Sequence, residues 1–557
     1  MESSHPLFAK HADTLEKALT AIAERSYWSA YPESPSPKIY GETAAADGET
    51  AYRGYLGADF PLADQPATTG WVATERSPFG VELGVRYPHP DVDGLLAAAG
   101  ASLPAWRAAG PDTRAAVCVE ILAQLHARAF ELANAVHATT GQAFVMAFQA
   151  GGPHALDRAL EAIAYAYREM TRTPATARWE KPAGRGEPLR MEKTFHVVPR
   201  GVALVIGCNT FPTWNSYPGL FASLATGNPV VVKPHPLAVL PLAITVRVAR
   251  DVLREAGFDP NLVTLAAEAP GEGLAKTLAL RPEVRIIDFT GSTSFGDWLE
   301  ANARQAAVHT EKAGVNTIIV DSTDDFAGMC RNIGFSLTLY SGQMCTTPQN
   351  ILVPAGGIAT DQGHQSFDEV AAGIAGAVAK LTADDARGVE LTGAIVNEAV
   401  LERLEQAETV GEVVLPSRSV KHPTYPDAVV RTPLIVKLGV DAEVTYGDEW
   451  FGPIAFIICT DNTVGSLQAF MRTVGKKGAL TASVYSTDND VLDAVEEATM
   501  IAGVHLSNNL TGGVFVNQSA AFSDFHASGA NPAANAALTD GAYVASRFRI
   551  VQSRRHV

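Results

Sequence analysis

Cys345 is the residue whose setting best fits covalent chemistry. It lies in Tyr-Ser-Gly-Gln-Met-Cys-Thr-Thr-Pro, residues 340–348, where small and polar residues follow an apolar run. Cys118, Cys330 and Cys459 lie in more apolar segments, which are typical of a buried thiol that serves as a small hydrophobic residue. A free thiol has a pKa of about 8.5 and needs help from its surroundings to become a thiolate at neutral pH. The polar setting of Cys345 favours a nucleophile over a core residue.

Two further residues could assist such a thiol. Glu311, in Thr-Glu-Lys-Ala-Gly, could activate the water that releases a thioester, a role that suits a carboxylate with a raised pKa. Asn209 follows an apolar strand, and its side-chain amide could donate to an oxyanion that develops during the reaction. Both residues also have simpler interpretations, because most glutamates are solvated and asparagine often forms turns.

A glycine turn at Gly291 and Ser292 joins a predicted strand, residues 284–288, to a helix predicted to begin near Ser294. Free backbone N–H groups and the helix dipole favour a phosphate at such a position. The turn matches neither the dinucleotide fingerprint GxGxxG nor the phosphate-binding loop of nucleotide hydrolases. A tight connection between a strand and a helix is therefore an equally good interpretation.

Lys233 ends a strand of three valines. A lysine at the carboxyl end of a parallel strand points into the crevice where α/β proteins bind ligands, although a solvated lysine is the alternative. Residues 234–247 contain no carboxylate, whereas an enzyme strict for NAD usually presents an acidic group to the adenosine ribose. With His235 also nearby, this segment predicts NADP as the preferred cofactor.

Glu449 and Phe451 lie in Glu-Trp-Phe-Gly-Pro, just before a predicted strand at residues 454–459. The carboxylate could hold a ribose while an aromatic ring backs a nicotinamide. A turn that follows a surface acid is the simpler local interpretation.

Composition restricts the class of protein. The chain has 557 residues, which predicts two or three domains, and a net charge of −17, which disfavours binding to nucleic acid or anionic lipid. Five widely spaced cysteines without a CxxC pair indicate neither a zinc site nor a disulfide framework, and free thiols fit the cytoplasm. No signal peptide is recognisable, and no apolar run approaches the roughly 20 residues of a membrane helix. We expect a cytoplasmic enzyme without a metal.

The patterns of apolar residues predict the elements that must position these groups. A helix is expected at 7–30, irregular structure with short strands at 31–90, and helices at 92–109, 111–140 and 154–171. Residues 172–195 favour a projecting hairpin, with an exposed linker as the alternative. From residue 201 strands and helices alternate, which indicates a parallel sheet covered on both faces, and a second alternating region runs from 315 to about 518.

Four of these motifs together resemble the aldehyde dehydrogenase superfamily, in their order and in their spacing over about residues 75–550. They are Phe-Thr-Gly-Ser-Thr at 289–293, Glu311, Gly-Gln-Met-Cys at 342–345 and Glu-Trp-Phe-Gly-Pro at 449–453. The resemblance implies an α/β fold with two doubly wound domains, one for the cofactor and one for catalysis, plus an oligomerisation hairpin. We expect the following parts: an N-terminal extension at 1–60, an NAD(P)-binding domain at 61–170 and 196–318, a catalytic domain at 319–520, and a bridging segment at 171–195 and 521–557.

The resemblance also implies a role for each residue. Cys345 is the expected nucleophile, Glu311 the base, and Asn209 with the Cys345 N–H the oxyanion hole. Asn215 is an alternative to Asn209, because Thr210 interrupts the usual Asn-Phe-Pro order. The expected cofactor is NADP or, as the alternative, NAD. Its binding residues are expected to be Lys233, His235, Gly291, Ser292, Glu449 and Phe451.

Within the superfamily the chain is most similar to the stand-alone PaaN type of phenylacetic acid degradation, through segments 138–154, 207–215 and 523–532. This implies oxidation of a CoA-linked semialdehyde to an acid, by a homodimer or homotetramer. Three alternatives stay open at this point: a CoA-acylating aldehyde dehydrogenase, a non-catalytic binding protein of the same fold, and a cysteine hydrolase that would use His309 as the partner of the thiol.

Overall fold

The computed structural model describes residues 5–62, 64–73, 75–312 and 314–557. The part of the chain before residue 172 is mainly helical, with one small antiparallel pair of strands. Its elements are α1 Pro6–Glu24, α2 Pro37–Tyr40, α3 Ala44–Arg53, β1 Thr68–Val72, β2 Tyr87–Pro90, α4 Val92–Ala108, α5 Gly110–His126, α6 Ala129–Thr140, α7 Phe144–Gly151 and α8 Pro153–Thr171.

Two predictions for this part are wrong. The region 31–90 contains helices α2 and α3 besides its short strands, because Ser36 caps the Lys38 N–H at 3.3 Å and an alanine run opens α3. The single helix predicted at 111–140 is two helices that break at residues 127 and 128. Neither residue is glycine or proline, so the pattern gave no sign of the break.

The predicted hairpin is present. Strands β3 Thr176–Ala183 and β4 Gly186–Pro199 pair antiparallel, with Thr176 opposite Thr194. The side chains alternate between exposed and half-buried along β3, as expected for a ribbon that leaves the body of the protein.

The next region forms a five-stranded parallel sheet in the order β7-β6-β5-β8-β9. Its valine-rich strands are buried on both faces, which is typical of a sheet covered by helices. The elements are β5 Val202–Ile206, α9 Pro212–Ala225, β6 Val230–Lys233, α10 Leu240–Glu255, η1 Pro260–Leu262, β7 Val263–Leu265, α11 Leu274–Ala279, β8 Val284–Thr290, α12 Thr293–Asn302 and β9 Ala307–Glu311.

A second sheet has seven strands in the order β15-β16-β17-β12-β10-β18-β19, all parallel except β15. A small sheet of β11, β13 and β14 lies apart from it. The elements are β10 Thr317–Val320, β11 Ser322–Thr323, α13 Phe326–Thr338, η2 Leu339–Gly342, β12 Asn350–Pro354, β13 Ile358–Thr360, β14 Gly363–Gln365, α14 Phe367–Leu381, α15 Asp385–Gly388, α16 Glu398–Ala407, β15 Glu412–Leu415, β16 Leu434–Gly439, α17 Glu443–Tyr446, β17 Ile454–Thr460, α18 Thr463–Lys477, β18 Thr481–Tyr485, α19 Asn489–Ala502 and β19 His505–Asn508.

The last elements, α20 Gly541–Ala545 and β20 Phe548–His556, join the C-terminal segment to the rest. β20 pairs antiparallel with β4, so that β20, β4 and β3 form one ribbon-like sheet. The buried Arg547 makes a bidentate contact with Asp288 of β8, with N–O distances of 2.6 and 2.8 Å. This contact ties the C-terminal segment to the five-stranded sheet. In the described part of the chain, every helix is too short or too polar to cross a bilayer.

Candidate active site

The loop that carries Cys345 is held in a left-handed turn. Tyr340, Ser341 and Gly342 all have positive φ values, of 53°, 51° and 65°. The Ser341 hydroxyl donates to the carbonyls of Gly393 and Arg431, which stabilises this unusual backbone. A Cβ at Gly342 would lie 2.3 Å from the Gly452 carbonyl oxygen, so only glycine fits here. The thiol loop is thereby packed against the segment that follows Glu449.

Asn316, at the start of the strand β10, fixes the loop from its other side. Its amide donates to the carbonyl oxygens of Cys345 at 2.8 Å and Thr347 at 3.0 Å. Its oxygen accepts the N–H groups of Leu480 and Thr481 at the neighbouring strand β18. A single buried side chain therefore links the thiol loop to two strands of the seven-stranded sheet.

Glu311 is the last residue of β9 and meets the thiol from the other sheet. Its carbonyl oxygen accepts the Gly291 N–H at 3.1 Å, so its position depends on the glycine turn. Both carboxylate oxygens are buried without a well-formed hydrogen bond among the described residues. The reactive atoms of Glu311, Cys345 and His526 lie within 4.8 Å of one another.

His526 is the functional residue that the sequence did not reveal. Its Nε2 lies 3.9 Å from Cys345 Sγ and 3.1 Å from Glu311 Oε2, and its ring packs edge-on against Trp214 at 4.7 Å. The residue lies in an irregular segment, where no periodicity marks it. The same nitrogen faces both the thiol and the carboxylate, so the three groups do not form a hydrolase relay, in which the acid binds the second ring nitrogen.

The partner proposed for a cysteine hydrolase lies elsewhere. His309 packs against Tyr543 and contacts the Ser546 hydroxyl at 3.0 Å. The hypothesis that His309 assists Cys345 is therefore wrong, because the imidazole beside the thiol belongs to His526.

The surroundings shift the protonation of Cys345 and of Glu311 in opposite directions. Burial raises the pKa of the Cys345 thiol well above its ordinary value, and the adjacent Glu311 carboxylate raises it further. Burial also raises the pKa of Glu311, but His526 and the thiol outweigh this effect, and the pKa lies below its ordinary value. The expectation of a raised pKa for Glu311 is wrong for this arrangement. In the resting site the thiol holds a proton and the carboxylate is ionised.

Asn215, rather than Asn209, lines the cavity that contains the thiol. Asn215 lies on α9, is 8% exposed, and lines the same cavity as Cys345. Its Nδ2 is buried without a partner among the described residues, so a donor is free for a ligand oxygen. Asn209 is absent from the described lining of that cavity, and its Oδ1 is likewise buried and unpaired.

Two cavities meet at Cys345. The larger one, of about 500 Å³, is lined by Cys345, His526, Trp214 and residues of α7 and α8. The smaller one contains Cys345 together with Glu449 and Phe451. Burial raises the pKa of Glu449 to about 7, so its carboxyl group titrates near neutral pH. The thiol can thus face one ligand on each side.

The remaining predicted cofactor residues lie at the carboxyl edge of the five-stranded sheet. Ser292 is the N-cap residue of α12 and is exposed. Its hydroxyl lies 3.4 Å from the Ser294 hydroxyl but does not cap a backbone N–H of the helix, which leaves these N–H groups available to an anion. Lys233, at the end of β6, is 4% exposed and pairs with Glu268, a residue that the sequence argument did not consider. Glu268 follows β7, the adjacent strand, and accepts the Leu274 N–H at 2.6 Å.

His235 lies beside this pair. Burial and the charge of Lys233 lower the pKa of His235 to about 4, so its ring is neutral at physiological pH. Its Nδ1 accepts the Leu237 N–H at 3.2 Å. His235 therefore adds no positive charge to the crevice.

Comparison with known proteins assigns the chain to a protein family. The model of the "Aldehyde dehydrogenase family" matches residues 86–541. The chain belongs to the aldehyde dehydrogenase family. A crystal structure of an NAD-dependent aldehyde dehydrogenase from Burkholderia multivorans is 62% identical, covers 100% of both chains and superposes with a TM-score of 0.98.

More distant relatives agree at the level of the family or the fold. Vanillin dehydrogenase from Pseudomonas fluorescens is 26% identical over 435 residues, which are 76% of this chain and 83% of that protein. The 1-pyrroline-5-carboxylate dehydrogenase of Thermus thermophilus is 19% identical, with a TM-score of 0.72 over 96% of this chain and 99% of that one. The predicted fold class is confirmed. The prediction of an aldehyde dehydrogenase is confirmed.

Proposed function

We propose that this aldehyde dehydrogenase forms a thioester on Cys345 and that Glu311 activates the water that releases a carboxylic acid. The observation that carries the proposal is the meeting of Cys345 and the buried Glu311 carboxylate, within 4.8 Å, at the junction of two cavities. Glu311 also favours hydrolysis over transfer of the acyl group to CoA, because a thiol acceptor needs no base to activate water.

The first step is the attack of the thiol. The Cys345 proton passes to the Glu311–His526 pair, and the sulfur forms a bond with the aldehyde carbon. The negative charge that develops on the aldehyde oxygen is stabilised by the free Nδ2 of Asn215 and by the Cys345 backbone N–H. The resulting thiohemiacetal keeps the carbon atom beside the smaller cavity.

The second step removes the acyl group. Once the carbon has lost a hydride and the carbonyl has reformed as a thioester, the Glu311 carboxylate accepts a proton from water. The water oxygen bonds to the carbonyl carbon, and the bond from carbon to sulfur breaks. The sulfur takes back one of the two protons that the Glu311–His526 pair has received, the other proton passes to solvent, and the acid leaves. Glu311 Oε2 lies 3.1 Å from His526 Nε2, and Oε1 has no partner among the described residues and can accept that proton.

The nicotinamide cofactor accepts the hydride when bound. The chain's donors fit such a dinucleotide: Gly291 and Ser292 would hold a phosphate, Lys233 the adenosine ribose, and Glu449 with Phe451 the nicotinamide end. The sequence favoured NADP because residues 234–247 lack a carboxylate, and this preference stays a prediction. Glu268 supplies the missing acid from the adjacent strand and would repel a 2′-phosphate, and His235 is neutral. We therefore propose NAD as the preferred cofactor, and the NAD dependence of the 62% identical enzyme from Burkholderia multivorans supports this choice.

The identity of the aldehyde substrate is a further part of the proposal. The similarity of segments 138–154, 207–215 and 523–532 to the PaaN type supports a CoA-linked semialdehyde from the opening of an aromatic ring. The acidic net charge offers no general attraction for CoA, so any recognition of its phosphates would need local cations.

A pre-steady-state assay tests the function. Glu311→Gln is expected to release a burst of at most one reduced cofactor per active site and then to stall, because acylation survives and hydrolysis fails. Cys345→Ala is expected to give neither burst nor turnover, while Glu283→Gln, an exposed glutamate remote from both cavities, retains normal turnover. Steady turnover by Glu311→Gln or Cys345→Ala would contradict the assignment, as would an absolute requirement for free CoA.

A further inference from the structure

A segment that precedes the family match lines the cavity of Cys345. The match begins at residue 86, yet Tyr27, Trp28, Ser29 and Glu33 border the larger cavity together with the thiol. We call residues 25–33 the wall segment. It adds to the reaction site a surface that the family pattern does not describe.

The wall segment is anchored to α8 by hydrogen bonds. The Ser29 hydroxyl donates to Asp157 Oδ2 at 2.6 Å, and the Ala30 N–H donates to Asp157 Oδ1 at 3.0 Å. Arg25 Nη1 lies 3.6 Å from Glu161, and Glu33 contacts His154 Nε2 at 2.7 Å. All three partners lie on one helix, so the wall segment has a fixed position over the cavity.

The wall segment also packs against the loop that carries His526. Trp28 meets Phe522 edge-on at 5.0 Å, and the Arg25 guanidinium lies 3.8 Å above the ring of Phe525. His526 contacts both Cys345 and Glu311, so only one layer of residues separates the wall segment from the reacting groups. The side chains of the wall segment therefore border the part of the cavity that would hold the substrate next to its aldehyde group.

The lining is mixed, and its cationic groups are already paired. Aromatic and thioether groups contribute to it, from Trp28, Phe211, Trp214, Phe335, Met146 and Met344. Arg158 borders the cavity, but it is buried against Glu161 at 2.8 Å and donates to the Asp524 carbonyl and the Ser519 hydroxyl. Only its Nε–H is unpaired among the described residues, which suits a neutral acceptor. The imidazoles of His154 and His526 contact Glu33 at 2.7 Å and Glu311 at 3.1 Å. The other ionisable groups include the carboxyl groups of Glu33, Asp157 and Glu390.

These contacts define a class of substrate. We propose that the wall segment makes Trp28 a specificity-determining residue, and that the enzyme selects aldehydes with a neutral, apolar or aromatic chain over aldehydes that carry a carboxylate. This inference rests on the proposed function. A carboxylate in this cavity would lose its water without gaining a cation, which is costly. A chain that ends in a neutral thioester meets no such penalty.

A matched pair of substrates tests the charge. Adipic semialdehyde and its N-acetylcysteamine thioester carry the same aldehyde chain, with and without the carboxylate. The wild-type kcat/KM is expected to be at least about 100-fold higher for the thioester. An equal or higher value for the free acid would overturn the inference. The CoA thioester of the same semialdehyde tests whether the enzyme also binds the CoA group. A kcat/KM well above that of the N-acetylcysteamine thioester would show added recognition of CoA, and an equal kcat/KM would show recognition of the aldehyde chain alone.

Two variants test the wall segment itself. Trp28→Ala is expected to raise the KM for the thioester and for phenylacetaldehyde about 10-fold and to leave acetaldehyde within about twofold. Trp28→Phe keeps an aromatic edge and is expected to give a smaller rise, which serves as the test should the alanine variant not fold. Trp71→Ala, the same change at a tryptophan outside the cavity, is the control.

These experiments distinguish a failure of the proposed function from a failure of the inference about the wall segment. If the wild-type enzyme oxidises none of these aldehydes, the proposed function fails. If it oxidises acetaldehyde but shows no preference between the paired substrates, or if Trp28→Ala changes all KM values equally, only the inference about the wall segment fails.

Discussion

At the residue scale, burial and the carboxylate beside Cys345 keep the thiol protonated. Burial has the larger effect, and the negative charge of Glu311 acts in the same direction, so the pKa of Cys345 lies well above its ordinary value. Alkylation of the cofactor-free enzyme by iodoacetamide should therefore be slow at pH 7.5 and accelerate as the pH rises. Replacing Glu311 by Gln removes the charge and lowers the pKa of the thiol. The rate of alkylation at pH 7.5 should therefore rise about tenfold for each pH unit by which the thiol pKa falls.

Mass spectrometry of the labelled peptide measures this rate, with Cys345→Ala as the background. The rate profile of Glu311→Gln should be displaced to lower pH. A variant that reacts as slowly as the wild type at every pH would show that burial alone protects the thiol.

His526 should act on Glu311 rather than on the substrate. Its Nε2 is 3.1 Å from the carboxylate and fixes the oxygens that must accept a proton from water. Replacement by Gln should slow the steady-state rate about 100-fold, because misplacement of a base by about 1 Å has that effect. The burst of reduced cofactor should persist, since the thiol is retained.

Rapid mixing gives the ratio of the burst rate to the steady rate, which a merely structural role would not change. His196→Gln, at an exposed histidine of β4, is the matched control. A loss of the burst in His526→Gln would show that Glu311 alone cannot take the thiol proton in the acylation step.

The sequence singled out residues whose neighbours are themselves informative. Cys345 stands in a polar turn, and Glu311 and Ser292 adjoin strand ends; the roles predicted for them stay predictions. His526 and Glu268 were missed because their contacts cross the fold, with Glu311 and Lys233 respectively. Asn209 was preferred to Asn215 because sequence order does not tell which of the two side chains lines the cavity.

At the element scale, runs of valine and isoleucine predicted the parallel strands well. The strands predicted at 284–288 and 454–459 are present as Val284–Thr290 and Ile454–Thr460, because a strand buried on both faces leaves little choice of residue type. The short helices α2 and α3 were not predicted, since glycine and acidic residues interrupt their pattern. Their stability depends on packing that the sequence does not display.

The C-terminal segment depends on a single buried ion pair. Arg547 makes two hydrogen bonds to Asp288 of β8, and the Tyr543 hydroxyl donates to the same carboxylate at 2.7 Å. Arg547→Met should leave Asp288 charged and unpaired, at a cost of about 3–5 kcal/mol in the free energy of unfolding. Thermal and urea midpoints measure the loss. Arg549→Met, at an exposed arginine two residues later, should remain close to the wild type.

A small effect of Arg547→Met would mean that the pairing of β20 with β4, rather than the ion pair, holds the segment in place. Limited proteolysis distinguishes these cases, because a released C-terminal segment becomes accessible to cleavage while the sheets remain folded.

At the scale of the whole molecule, the site exists only because distant parts of the chain converge. The five-stranded sheet contributes Glu311, the seven-stranded sheet positions Cys345 through Asn316, and the C-terminal segment contributes His526. The wall segment closes the same cavity from the N-terminal side. Family membership thus predicts the chemistry, whereas the proposed contribution to substrate choice comes from a segment outside the family match.

The ribbon of β3, β4 and β20 presents apolar side chains through which two subunits could assemble. Leu189, Ile550 and Val551 are 51%, 39% and 51% exposed on this ribbon, an unusual number of apolar side chains for free β-strands. We expect a homodimer or homotetramer in which the ribbon contacts a second subunit, and light scattering after size exclusion should give the corresponding mass. Val551→Glu should shift the protein towards the monomer, because it would bury a charge in an apolar interface. Val464→Glu, at an exposed valine on α18, is the control. A wild-type monomer, or a Val551→Glu variant with unchanged mass at low concentration, would assign the ribbon another role.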